Sequence, residues 1–444
     1  MKQFLAPSAL LALLAVLGSL AIGAVGAPPV SGRQEPEAAP QGIVSDQVIV
    51  KVRPWLPEMV RSLGQGALGM RELEHSPLLS ASLLSLPPGL SPERASAILS
   101  ALPWVEYAEP NYRVRAALVP NDPAYGRQQW YYELLGAPQA WDVTTGSSST
   151  VVAVLDAGVD MAHPDLQGRF WTNTAEIPGN GRDDDGNGCV DDVNGCNFTV
   201  DPANGDVGDD SLTGHGTFVA GIVAAAGNNG QGLAGVAWGA RIMPVKVLQG
   251  DVGSSFSVAQ GMVYAAKSGA RVINMSLGTC HPNRLLEDAL GVAHDRYRAV
   301  VVAAAGNAEA GCTSVNYPAA YDRAVAVGAS GQADPDARAP FSNWGPEVDF
   351  VAPGVDICST FPGGDYRCGD GTSFAAPLVA GTVALLLAKN PALSDADVRA
   401  ILRLTAKDLP DGSTPAWDGA GRIQIGRALT IGFSRSFIPS VSKE

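Results

Sequence analysis

Three residues far apart in the chain carry side chains that together could activate a hydroxyl group for acyl transfer. Asp156 closes the apolar run Thr-Val-Val-Ala-Val-Leu-Asp, where an aspartate is costly unless it has a partner. His215 lies between two glycines, and Ser373 opens an apolar helical segment. A nearby base can take the proton of a serine, and a helix N-terminus favours developing negative charge. Taken alone, Asp156 is equally well a turn cap and Ser373 a helix cap.

The sequence holds five histidines, so the candidates for a general base can be compared one by one. His75 belongs to the N-terminal region, and His163 precedes Pro-Asp-Leu in what resembles a surface turn. His281 follows a cysteine, and His294 lies in a polar helical segment. These four positions favour structural or exposed roles. His215 is the expected base because its flanking glycines allow close approach of the backbone.

A fourth candidate, Asn307, follows an apolar run that turns through Ala305 and Gly306. Its carboxamide could donate a hydrogen bond to an oxyanion, and so could the backbone amide of Ser373. Alone, a Gly-Asn pair after a strand is an ordinary turn.

The segments that must position these residues alternate between continuous apolar runs and helical stretches. This pattern predicts an α/β fold with a mostly parallel sheet and helices on both faces. In such sheets functional residues gather at the carboxyl ends of the strands. The strands are expected at residues 150–155, 242–247, 272–275, 300–304 and 324–327, and the main helices at 217–226, 257–268 and 285–298.

In combination, these segments resemble the subtilisin family of serine peptidases. The resemblance covers roughly residues 120–426 and keeps the family's order of aspartate, histidine and serine. The matching stretches are Val-Leu-Asp156-Ala-Gly-Val-Asp, His163-Pro-Asp-Leu, Gly-His215-Gly-Thr-Phe-Val-Ala-Gly, Val-Ile-Asn-Met-Ser276-Leu-Gly, Ala-Ala-Ala-Gly-Asn307 and Gly-Thr-Ser373-Phe-Ala-Ala-Pro.

The resemblance implies a secreted serine endopeptidase. Ser373 would attack the scissile carbonyl, His215 would act as base and then acid, and Asp156 would orient His215. Asn307 and the Ser373 amide would hold the oxyanion. A catalytically inactive, calcium-dependent binding or adhesion protein on the same fold is the alternative.

Four positions depart from residues that are frequent in the family. Ala157 replaces a serine or threonine beside the aspartate, Phe218 and Leu378 replace histidines, and Phe374 replaces a methionine. None of these changes removes a chemical role.

The resemblance also implies where a peptide substrate binds, by adding as a strand between two backbone segments. These segments are Ser276-Leu277-Gly278 and Gly253-Ser254-Ser255. Walls formed by Ser276 to Gly278 and by Ala304-Ala305-Gly306 would hold the side chain before the cut. Their small apolar residues predict broad specificity with a preference for large uncharged side chains, which Glu309 could modify.

Residues 183–192, Asp-Asp-Asp-Gly-Asn-Gly-Cys-Val-Asp-Asp, are dense in oxygen ligands. Their start resembles an EF-hand loop, although the terminal glutamate is absent. A solvated acidic loop is the alternative, but so many adjacent carboxylates repel one another without a cation. A structural calcium site is therefore expected. Its ligands would be Asp183, Asp185, Asn187, Asp191 and Asp192, and the resemblance implies a second calcium site at Asp165, Asn229 and Asp122.

The N-terminal region predicts export. Residues 1–26 resemble a signal peptide, with an uncleaved membrane anchor as the alternative. Residues 27–45 resemble a linker, and residues 46–117 alternate strands and helices as a small α+β (ferredoxin-like) domain. By resemblance that domain is an inhibitory propeptide, which is cleaved from a catalytic domain at residues 118–432. A C-terminal tail at residues 433–444 follows the catalytic domain.

Composition limits the partners of the protein. The 444 residues are 46% hydrophobic and 17% charged with a net charge of −14, which indicates a globular protein and makes nucleic acid an unlikely partner. The expected partners are peptide substrates and the chain's own propeptide. We expect no membrane contact after signal cleavage, and a monomer.

The sequence contains six cysteines, and export favours disulfides between them. A zinc site is the alternative, but no Cys-x-x-Cys or histidine pair supports it. Six cysteines permit 15 connectivities. Proximity in sequence favours Cys189–Cys196 and Cys358–Cys368, which leaves Cys280 for Cys312.

Overall fold

The computed structural model describes residues 43–53, 69–113, 118–308, 312, 314–409 and 417–431. The chain divides into two compact units between Ala116 and Ala117. The predicted signal segment, most of the predicted linker, Glu309 and the predicted tail lie outside the described residues.

The first unit is a four-stranded antiparallel sheet with strand order β2-β3-β1-β4 and one helix, counted over its described residues. Val48, Leu84 and Leu99 lie in its core. The helix begins after a capping serine, since Ser91 accepts a hydrogen bond from the Arg94 amide at 3.3 Å and Pro92 follows it. The elements are β1 (Ile43–Val52), β2 (Arg71–Ser76), β3 (Ala81–Ser85), α1 (Pro92–Ser100) and β4 (Val105–Tyr112).

The second unit is built on a parallel sheet in which seven strands are described, in the order β13-β12-β11-β10-β5-β7-β6. All of its strand pairs are parallel. The predicted α/β architecture is therefore confirmed. The strands of the sheet are β5 (Val151–Asp156), β6 (Cys196–Asn197), β7 (Arg241–Lys246), β10 (Val272–Met275), β11 (Val300–Ala304), β12 (Ala324–Ser330) and β13 (Phe350–Pro353), and two hairpins add β8 (Leu248–Gln249), β9 (Val252–Gly253), β14 (Ile357–Phe361) and β15 (Asp365–Gly369).

Helices cover both faces of this sheet. Along β5, Val152 and Val154 join one hydrophobic core while Ala153 and Leu155 join the other, because successive side chains of a strand point to opposite faces. The helices are α2 (Tyr125–Gln128), α3 (Tyr131–Leu135), α4 (Ala137–Trp141), α5 (His215–Ala224), α6 (Ser255–Lys267), α7 (Arg284–Gly291), α8 (Thr372–Lys389), α9 (Asp395–Thr405) and α10 (Ile425–Thr430).

The helix predicted over residues 285–298 is correct only in part. It is α-helical to Gly291 and continues as a wider π-helical turn at Val292–Arg296. The apolar spacing of a segment predicts a helix, but it does not reveal where the hydrogen-bonding step lengthens.

Among the helices that the structure describes, one, α8, is long and apolar enough to cross a membrane by length and composition alone. In the structure 78% of it is buried, and it packs under strands β10, β11 and β12. It is the central core helix of the second unit.

The three disulfides expected from the cysteine spacing are confirmed. They join Cys189 to Cys196, Cys280 to Cys312 and Cys358 to Cys368, and no cysteine in the described residues is free.

A charge network joins the π-helical turn to α9. His294 Nδ1 lies 2.7 Å from Asp295 Oδ1, and its Nε2 lies 3.3 Å from Asp395 Oδ2. Arg399 lies 2.8 Å from both Asp395 and Asp349. The hydrogen bond to Asp395 is the largest of the effects that raise the pKa of His294 above its usual value. Protonated His294 therefore stabilises the fold.

We predict that His294→Gln destabilises the protein more at pH 5.5 than at pH 9. The folded-state pKa is raised, so this stabilisation is fully present below the unfolded value near 6.5 and is lost as the pH rises through the folded value. In a Ser373→Ala background, which removes the expected nucleophile, the melting temperature should fall by roughly 1–3 °C more at pH 5.5. The exposed His281, changed to Gln, is the matched control. An equal fall in melting temperature at both pH values would contradict a stabilising role of protonated His294.

Candidate active site

The carboxyl edge of the parallel sheet carries the predicted polar residues. Asp156 ends β5, Ser276 follows β10 and Asn307 follows β11. These three strands are neighbours, so the residues at their ends lie along one edge. His215 begins α5, and Ser373 lies in the first turn of α8.

Asp156 and His215 form a hydrogen-bonded pair. His215 Nδ1 lies 2.9 Å from each carboxylate oxygen of Asp156, whose side chain is fully buried. The Ala157 amide donates to the same carboxylate at 2.8 Å. A Cβ on Gly216 would lie 2.0 Å from the Gly158 carbonyl oxygen. The expectation that a flanking glycine permits close approach is therefore confirmed.

The charge state of His215 follows from its surroundings. Burial opposes the protonated ring, but the attraction of Asp156 and its hydrogen bond outweigh burial and raise the pKa of His215. Asp209 and Asp251 add to this effect. The site thus favours an imidazolium once the ring accepts a proton.

Asn307 is held by the residue that precedes Ser373. Its Oδ1 accepts hydrogen bonds from the Thr372 amide at 3.1 Å and from the Thr372 hydroxyl at 2.9 Å. Because these donors occupy Oδ1, the Nδ2 group is the end of the carboxamide that can donate to another molecule.

Ser373 is hydrogen-bonded to Ser276. Its hydroxyl donates to the Ser276 carbonyl oxygen at 3.2 Å, and the Ser276 hydroxyl donates to the Ser373 carbonyl oxygen at 2.7 Å. Among the described residues, no hydrogen bond joins Ser373 to His215. The arrangement places the serine beside the segment Ser276-Leu277-Gly278, which is expected to bind substrate.

The unusual residues near the site pack against one another. The rings of Phe218 and Phe374 lie 4.2 Å apart, and Phe374 lies 5.9 Å from the ring of His215. Leu378 is fully buried. Phe218 and Leu378 belong to one hydrophobic core, and Phe374 packs against that core beside the ring of His215.

The expectation that His163 lies in a surface turn is wrong. The residue is fully buried, its Nδ1 accepts from the Asp165 amide at 3.2 Å, and its Nε2 lies 3.0 Å from the Asp365 carbonyl oxygen. The local Pro-Asp-Leu sequence predicts a turn, but it does not show that β15 covers that turn. The expected structural role is supported.

A cavity of about 620 Å³ extends from His215 along the backbone. It contains the residues expected to bind substrate in the segments Ser276-Leu277-Gly278 and Gly253-Ser254-Ser255. Of the other expected wall, Ala304 and Ala305 are buried in the core, Gly306 is half-buried, and none of the three lines this cavity.

The acidic loop brings together three carboxylates, one of which was not expected. Ligand oxygens of Glu176, Asp183 and Asp185 lie within 4.8 Å of one another. Glu176 is 6% exposed, and its Oε2 is buried without a hydrogen-bond partner. Carboxylate oxygens suit calcium, and an unpaired buried oxygen is costly without a ligand. These residues could hold a cation.

The other residues expected in this loop make hydrogen bonds with neighbouring groups. Asn187 Nδ2 donates to Asp192 Oδ2 at 2.9 Å, and Asp192 also accepts from the Tyr264 hydroxyl. Asp191 accepts from the backbone amides of Asn180 and Gly181 at 3.1 and 2.9 Å. Its carboxylate therefore holds the turn at Asn180 and Gly181.

The residues of the second expected calcium site do come together. Asn229 Nδ2 donates to Asp165 Oδ1 at 2.9 Å, and the Asn229 amide donates to Asp122 Oδ1 at 3.3 Å. Both carboxylates are buried, at 0% and 4% exposure. Burial raises the pKa of Asp122, and the nearby Asp165 adds to this.

Comparisons with known proteins agree with this geometry. Residues 147–421 match the model of the subtilase family, and residues 31–111 match that of the fervidolysin N-terminal prodomain. The chain is 41% identical over 339 residues to a thermophilic serine proteinase of Bacillus sp. strain AK1, covering 75% of this chain and 76% of the relative. It is 38% identical over 311 residues to thermitase of Thermoactinomyces vulgaris, covering 70% and 99%.

A solved protease structure from Pseudoalteromonas arctica superposes with a TM-score of 0.58 at 30% identity, covering 70% of this chain and 99% of that one. The subtilisin-like fold expected from the sequence is thereby confirmed. The chain belongs to the subtilase family of serine proteases and carries an N-terminal prodomain.

Proposed function

We propose that the chain is a secreted endopeptidase that cleaves peptide bonds through an acyl-enzyme formed on Ser373. The observation that carries this proposal is the contact of 2.9 Å between His215 Nδ1 and the buried Asp156 carboxylate. With its Nδ1 proton donated to Asp156, the neutral ring keeps Nε2 free of a proton and able to accept one.

The reaction follows from this arrangement. Ser373 Oγ attacks the scissile carbonyl carbon while His215 Nε2 takes the hydroxyl proton. His215 then gives that proton to the leaving amine as the C–N bond breaks, and an acyl-enzyme remains. Water, activated by His215 in the same way, releases the acid and restores Ser373. The serine hydroxyl first rotates away from the Ser276 carbonyl oxygen, since catalytic hydrogen bonds often form only with substrate bound.

Two donors would stabilise the oxyanion of the tetrahedral intermediate. One is Asn307 Nδ2, positioned through the bonds of Thr372 to Oδ1. The other is the backbone amide of Ser373 in the first turn of α8, where the helix dipole favours negative charge.

The substrate would bind as an extended strand between the segments Ser276-Leu277-Gly278 and Gly253-Ser254-Ser255. The side chain before the cut would lie between Ser276 to Gly278 and Ala304-Ala305-Gly306, the second of which lies outside the lining of the cavity that extends from His215. Since these walls are small and uncharged, we expect broad specificity with a preference for large uncharged residues at that position.

We assign residues 46–117 to an inhibitory propeptide that the enzyme removes itself from a monomeric catalytic domain at 118–432. The match of residues 31–111 to a subtilase prodomain supports this assignment. Residues 1–26 would be the secretion signal, 27–45 a linker and 433–444 a tail.

Calcium would stabilise the catalytic unit without taking part in the chemistry. One ion would be held near Glu176, Asp183 and Asp185, where a buried carboxylate oxygen lacks a partner. A second would be held by Asp165, Asn229 and Asp122, whose side chains converge. Removing such ions exposes buried like charges to one another, which favours local opening and self-digestion.

We predict that Ser373→Ala abolishes peptide hydrolysis and leaves the propeptide attached. Asn307→Leu should keep maturation measurable and lower kcat by about 10²–10³-fold, the loss that follows removal of one oxyanion donor in a subtilisin. The measurement is hydrolysis of a peptide p-nitroanilide together with the intact mass of the secreted protein. Normal maturation of Ser373→Ala would refute self-processing. Wild-type protein that matures but cleaves no peptide would favour the binding-protein alternative.

We predict that calcium raises the stability of the Ser373→Ala protein. A site filled at 100 times its Kd contributes about 2.7 kcal/mol to the apparent free energy of unfolding. Thermal melting with calcium and with EDTA measures the effect. Glu176→Gln should remove part of the calcium response, and the exposed Glu287, changed to Gln, should not. Identical melting in calcium and EDTA would contradict both sites.

A further inference from the structure

The cleft beside His215 carries a carboxylate whose charge has no cationic partner. Asp251 lines the same cavity as His215 and Thr213, and the described lining contains neither lysine nor arginine. Asp251 is exposed, and its Oδ1 accepts a hydrogen bond from the Thr213 hydroxyl at 3.0 Å. In the part of the chain that the structure describes, no ion pair includes it.

The neighbouring acids are already used by the fold. Asp210 lies 2.6 Å from Lys246 Nζ and accepts from the Gly250 amide at 2.9 Å. Asp209 accepts from the Thr217 amide at 3.0 Å and from the Ser211 amide at 3.1 Å. Asp251 is therefore the acid of this region whose charge is available to a ligand.

The charge of Asp251 acts at the catalytic end of the cleft. Burial opposes protonation of His215 and Asp156 is the main charge that favours it, but Asp251 is among the groups that raise the pKa of this histidine. Its field thus reaches the imidazole, and a cationic substrate side chain beside that ring would feel it as well.

The geometry of an extended strand determines which substrate residue lies next to Asp251. Successive side chains of a strand point to opposite faces. If the residue before the cut enters the pocket at Ser276 to Gly278, the residue preceding it faces the other wall. Thr213, His215 and Asp251 line the same cavity, the first and third joined by a hydrogen bond, and we assign them to that other wall.

We propose that Asp251, oriented by Thr213, makes the enzyme favour lysine or arginine at the second substrate residue before the scissile bond. This inference rests on the proposed endopeptidase function and adds a charge preference at a position separate from the uncharged pocket. The long stem of either side chain could lie along the apolar surface of Leu248, which also lines the cavity, while its charged end approaches Asp251.

The test compares acetyl-Ala-Ala-Xaa-Phe p-nitroanilides in which Xaa is lysine, norleucine or glutamate, with the matured enzyme. Norleucine matches the lysine stem without its charge. At low ionic strength kcat/KM for lysine should exceed that for norleucine by about 2–5-fold, with glutamate lower by a similar factor. The ratio should approach 1 in 1 M NaCl, where charges are screened within about 3 Å.

Asp251→Asn should bring the lysine-to-norleucine ratio close to 1. The matched control is Asp288→Asn, which removes the same charge from an exposed position outside the cleft and should keep the wild-type ratio and activity. A wild-type ratio near 1, or a preference that survives Asp251→Asn, would overturn the inference while leaving endopeptidase function intact. Failure to cleave any of the three peptides would overturn the proposed function and this inference with it.

Discussion

The burial of the Asp156 carboxylate is the constraint on which the catalytic unit depends. A buried charge without a partner carries a penalty of several kcal/mol. Here the carboxylate is fully buried at the end of a central strand, and His215 and the Ala157 amide satisfy it. The absence of a side chain at Gly216 lets α5 approach closely enough for this pairing. The hydrogen bonding between His215 and Asp156 offsets the cost of burying the carboxylate, and it also fixes the orientation of the imidazole.

The parallel sheet brings the other groups to the same edge. Because β5, β10 and β11 are neighbours running in one direction, Asp156, Ser276 and Asn307 follow their ends side by side. Helix α8 then adds Ser373, and Thr372 ties the start of that helix to Asn307. The strands that hold this edge are apolar on both faces, so the rigidity of the site comes from two hydrophobic cores.

Much of this could be predicted from the sequence because its patterns are strong. Continuous apolar runs identify buried parallel strands, and residues directly following them lie at a known edge. Features that depend on distant contacts could not be predicted. Strand β2 is six residues long, of which Arg71, Glu72 and Glu74 are charged and the first four are exposed, so its composition does not favour a strand. Burial of His163 depends on β15, and Glu176 stands apart from the acidic run with which it converges. The residues next to β2, His163 and Glu176 in the sequence do not indicate which distant segments they contact.

The proposed chemistry requires Ser373 to be an activated nucleophile. The most direct measurement is the intact mass of the secreted protein before and after an organofluorophosphonate probe, followed by peptide mapping. We predict a mass near that of residues 118–444, one added probe per molecule, and the adduct on Ser373. Labelling should disappear in Asp156→Asn, because the histidine is then no longer held in the tautomer that accepts the serine proton. A mature protein that stays unlabelled, or an adduct on another residue, would contradict the assignment of Ser373 as the activated nucleophile.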